Sequence, residues 1–350
     1  MKKTCIAGMS GGVDSSVTAL LLKEQGYDVV GLTLLLHTEQ QGPCSADADD
    51  ARAVCDRLEI PHIVVDGRET FREKVMEHFA AVYESGGTPN PCVDCNRGVK
   101  FPLLMEAMEA QGGTHIATGH YVRMAEENGR YLLKKGLDPA KDQSYVLYNL
   151  TQKQLSHLVF PLGELTKPQV REMAREHGFV TASKSDSQDI CFVPDGDYGS
   201  FLERYRGKIF FSGDFIDENG TVLGRHAGAI RYTLGQRRGL GVAAASRLYV
   251  TGKDMVKNTV TLGTNEQLFA KTLYADGLNL IACDRLEDGQ KLQARVRYQQ
   301  KEQPCRVWQT DESTLRVEFD EAQRAIAPGQ AVVLYDDDVV VGGGTITKSE

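Results

Sequence analysis

The chain has 350 residues, 41% of them hydrophobic and 25% charged, with a formal net charge of −8. This is globular composition at a length beyond one compact core, so two or three domains are expected and a uniformly basic, nucleic-acid-coating surface is excluded. No apolar run is long enough to cross a membrane, and the apolar stretch after Met1-Lys2-Lys3 breaks at Ser10-Gly11-Gly12, too early for a secretory signal.

Eight irregularly spaced cysteines do not resemble a secreted disulfide framework, so the expected location is the reducing cytoplasm. Positive charge is nevertheless concentrated locally. Between Leu223 and Thr259 seven bases (Arg225, Arg231, Arg237, Arg238, Arg247, Lys253 and Lys257) face one acid, Asp254, a segment suited to steering a polyanion.

In chain order, TCIAGM predicts a strand, SGGVDSS a loop, and VTALLLKEQG a helix with Val17, Leu20 and Leu21 on one face and Gly26 as its stop. VVGLTLLL and HIVVD predict strands, DADDARAVCDRLEI and FREKVMEHFAAVYES helices, and HIATGH a further strand. Alternating helices and continuously apolar strands predict a doubly wound parallel sheet covered on both faces. Thr166-Lys167-Pro168-Gln169 reads as a capping box with an early proline, and Gly178 as the end of that helix.

Beyond about residue 205 short strands and turns take over. DENG at 217–220 predicts a hairpin, and LQARVRY alternates, with Arg295 and Arg297 on one face and Val296 and Tyr298 on the other. The expected organisation is residues 1–204 as an α/β domain, including a helical segment at 150–204, then two small mainly-β domains at 205–267 and 268–350, the last barrel-like.

SGGVDSS at 10–16 is the strongest local signal. It joins a strand to a helix, so Gly11 and Gly12 can adopt angles closed to other residues while helix-start amides and the hydroxyls of Ser10, Ser15 and Ser16 face an anion. The Gly-Lys-Ser/Thr ending of a γ-phosphate-transferring loop is missing, which favours a grip on pyrophosphate.

TPNPCVDCNRG at 88–98 carries Cys92 and Cys95 between prolines, with a helix expected from about Gly98. Spacing alone leaves a zinc site, a redox dithiol, a cluster and a single catalytic cysteine open. Zinc lacks a second ligand pair, and a loop setting disfavours the redox dithiol. Cys5 and Cys55 read as core residues, Cys44 as a polar-loop residue, Cys283 and Cys305 as isolated in β segments, and His120 on its own as a strand-end histidine.

The stretches GMSGGVDSSV, TPNPCVDCNRGVKF, ATGHYVR, KDQSYVLY, FPLGELTKPQVR, SKSDSQDICF, YTLGQRRGLG and PGQAVVLY, in this order, resemble the PP-loop ATP pyrophosphatases. Within them the chain is similar to the tRNA 2-thiouridylase family over essentially its whole length. The resemblance implies an adenine nucleotide α-hydrolase-like fold. It also implies ATP-dependent 2-thiolation of the wobble uridine of tRNA, by adenylation of its C2 oxygen and sulfur transfer from a persulfide.

By the same resemblance ATP, with Mg²⁺, is held at Gly8, Met9, Ser10, Gly11, Gly12, Val13, Asp14, Ser15, Ser16, Leu34 and Gly119. The persulfide forms on Cys191, Cys95 is the nucleophile, and a transient Cys95–Cys191 disulfide results. Asn90, Pro91, Cys92 and His120 meet the target base, while Lys141, Asp142, Gln143, Arg297, Tyr298 and Gln330 touch the tRNA. A cysteine desulfurase or persulfide relay protein is the implied sulfur donor. Thiolate chemistry calls for a lowered cysteine pKa, with Arg97 and Lys100 as the nearby cations.

Many relatives hold aspartate where this chain has Cys92. Cys92, Cys95 and Cys191 are therefore also a donor set for a 4Fe-4S cluster carrying the sulfur, an alternative route to the same product. A PP-loop ligase acting on a small metabolite would need neither the paired cysteines nor the basic β segment. A non-catalytic tRNA binder would leave the phosphate cradle without a purpose.

Overall fold

The computed structural model describes residues 3–37, 44–184, 190–244 and 246–350; the side chains of Cys44 and Ser45 also lie outside the described set. The expectation for Cys44 and the 185–189 part of the SKSDSQDICF stretch thus fall outside it.

The chain begins with β1 (Thr4–Gly8), α1 (Val13–Glu24), β2 (Asp28–Leu35), α2 (Cys44–Arg57) and β3 (His62–Asp66). A helical rod follows, α3 (Arg68–Phe71) and α4 (Glu77–Glu84) joined by a π-helical turn at Arg72–Met76. A second rod joins α5 (Pro91–Cys95) through a π-helical turn at Asn96–Lys100 to α6 (Phe101–Ala110). Then come β4 (His115–Ala117), β5 (Val122–Glu127), β6 (Arg130–Lys135), α7 (Gln152–Leu155), β7 (Leu158–Val159), α8 (Lys167–Glu176) and α9 (Tyr198–Arg206).

Five of these strands form a parallel sheet in the order β3-β2-β1-β4-β7. Alternate residues along the strands point to opposite faces, and both faces are covered. Ile6, Leu32 and Ile116 join Leu104 and Met108 of α6 in one core, whereas Cys5, Ala7 and Val29 join Val17, Val54, Cys55 and Val170 of α1, α2 and α8 in the other. The capping box is present: Thr166 Oγ1 and its amide lie 2.8 Å from Gln169 Oε1, and Gly178 ends the helix at φ +61°.

A second sheet contains β8 (Gly213–Ile216), β9 (Val222–His226), β10 (Tyr249–Asp254) and β11 (Thr259–Gly263), in the order β10-β11-β8-β9. The predicted DENG turn links the antiparallel pair β8 and β9. A third sheet contains β12 (Phe269–Leu280), β13 (Gln290–Arg295), β14 (Gln303–Gln309), β15 (Leu315–Arg324), β16 (Ala331–Asp336) and β17 (Val339–Ser349). Because β12 pairs with both β15 and β17, these six strands close into a barrel.

Two features depart from the sequence reading. The β5–β6 hairpin attaches to β17 and so joins the barrel sheet, although it precedes α7 in the chain. Its Asn128-Gly129 turn, at φ +52° and +75°, is the signal that was there to be read. The alternation in LQARVRY also ends early. β13 stops at Arg295, where the Gln300 side chain accepts from the Val296 amide and the chain turns, so Tyr298 does not share a strand face with Val296.

Candidate active site

The phosphate loop lies between β1 and α1. Gly11 has φ +68°, and a Cβ there would stand 2.2 Å from the carbonyl oxygen of Asp47, so the close approach of α2 admits only glycine. Ser15 Oγ accepts from the Ser10 amide at 3.2 Å and donates to the Gly12 carbonyl at 2.9 Å; Ser16 Oγ bonds the same carbonyl and Thr181. Gly12 caps α1 in extended geometry without a side-chain bond, which leaves the helix-start amides to a ligand.

Asp14 is held on two sides. Lys167 Nζ donates to both its oxygens at 2.7 and 2.8 Å, and the Tyr121 hydroxyl at 2.7 Å. Neither partner had a local sequence signal, since both arrive from more than a hundred residues away. Gly8 and Met9 close β1 under the loop, Val13 is buried, and Leu34 packs on the core beneath α6. Gly119 abuts the loop directly: a Cβ there would lie 3.0 Å from Asp14 and from the Ser15 nitrogen.

His120 follows Gly119 and is buried, with its Nδ1 2.7 Å from Thr118 Oγ1 and its ring stacked on Phe101 at 6.0 Å. Burial, reinforced by the charge of Lys100, holds its pKa well below the ordinary value, so the imidazole is neutral. Lys100 also acts on the thiols of Cys92, Cys95 and Cys191. Lys100 is thus within electrostatic reach of both His120 and the three thiols, and Gly119, next to His120, abuts the loop.

Cys92 and Cys95 lie in the short helix α5, contrary to the loop expected from the prolines. Pro91 opens it and Asn90 caps it, accepting from the Val93 amide. Cys92 and Cys191 are open to solvent and Cys95 half-buried, and all three are free thiols. Cys191 is presented by the buried Phe192, whose ring meets those of Phe79 at 5.2 Å and Phe71 at 5.6 Å. Cys95 packs against that same aromatic cluster.

The expectation of a depressed thiol pKa is not met. Desolvation by the surrounding protein pushes Cys95 up to about 11 and Cys191, despite its solvent-facing surface, to about 12. Cys92 is also raised. Lys100 favours the thiolate at all three but is outweighed. Arg97 is engaged elsewhere: with His78 it brackets the buried Asp94, at 3.1 and 2.9 Å.

Of the residues expected near RNA, Tyr298 is exposed, tilts against Tyr145 at 6.0 Å, and lies within electrostatic reach of Cys92. Others face inward. Asp142 is buried, accepting from the Ser144 hydroxyl at 2.9 Å and Arg295 at 3.1 Å, and Gln143 accepts from the Tyr121 amide. Arg297 donates to the Ala325 carbonyl at 2.8 Å, and Gln330 to the Thr88 and Pro89 carbonyls at 3.0 Å. Lys141, partly buried, adjoins Asp142.

Among the described residues no three histidines, cysteines or acids stand together as a metal-holding group. The three thiols are chemically suited to iron, whereas Asp14, Asp47 and Asp50 are already paired with lysines. Among the described residues no preformed metal site is therefore present. No described helix is long and apolar enough to cross a membrane.

The family model described as tRNA methyl transferase HUP domain matches residues 3–195. The tRNA methyl transferase PRC-barrel domain matches 199–264 and the aminomethyltransferase beta-barrel domain 270–346. The tRNA-specific 2-thiouridylase MnmA of Clostridium acetobutylicum is 46% identical over 354 residues, covering 99% of this chain and 100% of that protein. The chain belongs to the tRNA-specific 2-thiouridylase family. The 2-thiouridylase of Carboxydothermus hydrogenoformans is 48% identical over 358 residues, covering 99% and 98%.

In this member of the family the basic segment of the second sheet is less available than its composition suggests. Arg225 pairs with Asp214, Arg231 with Asp197 and Glu203, and Lys257 with Asp254. Lys253 donates to the Tyr232 carbonyl at 2.8 Å, and its burial lowers its pKa to about 8. Arg237, Arg238 and Arg247 are exposed and carry no ion pair among the described residues. Among the described residues of this segment, those three are the exposed bases without an acid partner, whereas the exposed Arg225 and Lys257 are each paired.

Proposed function

We propose that this chain catalyses the ATP-dependent 2-thiolation of the wobble uridine of tRNA. The supporting observation is the link between loop and thiols: Gly119 abuts the phosphate loop, and its neighbour His120 shares Lys100 with three thiols. Activation of an oxygen and delivery of sulfur can then occur in one place.

The loop from Gly8 to Ser16, with Gly119 and Leu34, would bind ATP, whose Mg²⁺ would be held mainly by the phosphates and water. The target base, turned out of its loop, would sit among Asn90, Pro91, Cys92, the neutral His120 and Tyr298, an aromatic platform for stacking. Attack of the uridine C2 oxygen on the α-phosphate expels pyrophosphate and leaves an adenylate.

Sulfur arrives as a persulfide on Cys191 from an external donor, such as a cysteine desulfurase or persulfide relay protein. The Cys95 thiolate attacks the inner sulfur, forming the Cys95–Cys191 disulfide and releasing hydrosulfide, which displaces AMP from C2. A thiol reductant then returns both cysteines to their free form. With both thiols raised, Lys100 is the cation that favours the attacking thiolate. Residues 1–204, 205–267 and 268–350 would act as catalytic, tRNA-binding and barrel units of a cytoplasmic enzyme.

Pyrophosphate release from ATP, with and without tRNA, tests the assignment together with mass spectrometry of the tRNA nucleosides. Release that depends on tRNA and ends in 2-thiouridine supports it. Release driven by a small metabolite and indifferent to tRNA would replace it with a PP-loop ligase.

A further inference from the structure

Lys184 is a cation beside the phosphate loop that no step above employs. Its Nζ lies 3.0 Å from the Gly11 carbonyl, 2.6 Å from Asp47 Oδ1 and 2.9 Å from Asp50 Oδ2. These are the two acids that α2 carries across the mouth of the loop, where a Gly11 Cβ would meet the Asp47 backbone. Lys184 and both carboxylates are each more than a third exposed, at 36%, 36% and 38%, so their pairing contributes little to stability.

The charge around the loop is divided between two lysines. Lys167 is 9% exposed at its side chain and committed to both oxygens of Asp14. Lys184 is accessible, a flexible point charge of the kind that binds phosphate, and its two carboxylate partners present to it what phosphate oxygens would. A triphosphate seated on the Gly11-Gly12 amides enters the same space and competes with Asp47 and Asp50 for the ammonium group. Unless Lys184 is transferred, those two acids repel it.

We propose that Lys184 is a phosphate-binding residue for the nucleotide, and that Asp47 and Asp50 are internal competitors that hold it at the loop and yield it to the triphosphate. This rests on the ATP-dependent reading of the site. It gives α2 a function in setting nucleotide affinity beyond covering the sheet.

The experiment is calorimetric titration of the full chain with ATP, and with adenosine as a phosphate-free control, for Lys184→Gln, Lys184→Arg and the double variant Asp47→Asn/Asp50→Asn. Loss of a charge-assisted hydrogen bond weakens ATP binding by about tenfold or more in Lys184→Gln, with adenosine unchanged and substantial recovery in Lys184→Arg. The double variant releases Lys184 from competition and tightens ATP binding several-fold, a change of opposite sign. If the lysine and asparagine variants weaken ATP alike, or none alters it, the ion pairs only fasten α2 to the loop and the proposal is overturned. The double variant retains the lysine, so the sign of its effect decides even where Lys184→Gln does not fold. Pyrophosphate release by the wild type in the same preparations is read separately. Its absence beside the expected ATP pattern would sink the thiolation reading and leave the Lys184 assignment standing.

Discussion

Gln330 fastens Pro89. The barrel residue donates its side-chain amide to the Pro89 carbonyl at 3.0 Å, and to that of Thr88 at the same distance, while the Thr88 amide donates to the Pro328 carbonyl at 2.8 Å. The last sheet of the chain thereby fixes the segment that leads into Asn90, Pro91 and Cys92. Replacing Gln330 with Ala removes two neutral hydrogen bonds at a cost of about 1–3 kcal/mol in all. The expected outcome is a lower kcat with the KM for ATP unchanged. An altered ATP KM with normal kcat would contradict this relationship.

Gly119→Ala tests the junction between loop and pocket. The added methyl must displace Asp14 or the Ser15 amide, each 3.0 Å away. ATP affinity is expected to fall by about tenfold or more while the thermal midpoint moves little, because the strain falls on the loop and not on the core. Calorimetric titration with ATP checks the first part and thermal unfolding the second.

The raised thiols predict a pH dependence. With its pKa near 11, Cys95 is almost wholly protonated at neutral pH, so its alkylation by iodoacetamide should accelerate about tenfold per pH unit from 7 to 10 without a plateau. Lys100→Met removes the charge that lowers that pKa, so alkylation at a given pH should slow. Peptide mass spectrometry resolves Cys95 from Cys92 and Cys191. A plateau near pH 8 would show that the thiol is not raised.

Arg237 and Arg238 bear on tRNA through charge. Reversing both to Glu should weaken tRNA binding and flatten the plot of log affinity against log salt by about 1.5, near 0.7–0.9 for each phosphate no longer neutralised. An unchanged affinity and slope would move the RNA surface elsewhere.

Phe192 holds Cys191 from below. Phe192→Ala empties a site lined by Phe71, Phe79 and Phe201, and should cost about 3–5 kcal/mol in denaturant unfolding. Phe192→Leu fills most of the volume and should keep the fold while reducing sulfur transfer more than adenylation. Equal losses of both activities would argue that the ring supports the whole site and not Cys191 in particular.

The parallel sheet was legible because its strands and helices announce themselves over short windows: β3 begins and ends where HIVVD does, and the Thr166 capping box is present. The phosphate loop was legible for the same reason, glycine and serine lying between a strand and a helix. Charge was not. Arg97, Arg225, Arg231 and Arg295 look available in sequence, yet each meets an acid in the fold, and Arg297 is taken by the Ala325 carbonyl. The Lys167–Asp14 pair, 153 residues apart, has no local trace. Cys95 was picked out by motif, but its protonation depends on neighbours that only the fold assembles.

The attachment of the β5–β6 hairpin to β17 bears on how the protein is made. Lys134 pairs with Val339, and the Lys135 amide donates to the Asp338 carbonyl at 2.8 Å. On a ribosome the hairpin emerges about 200 residues ahead of its partner, or roughly 10–40 s at ordinary elongation rates. For that interval a bare strand edge is presented to the cell, one that can pair with other chains. Chaperone demand should therefore peak before translation ends and fall once β17 clears the exit tunnel.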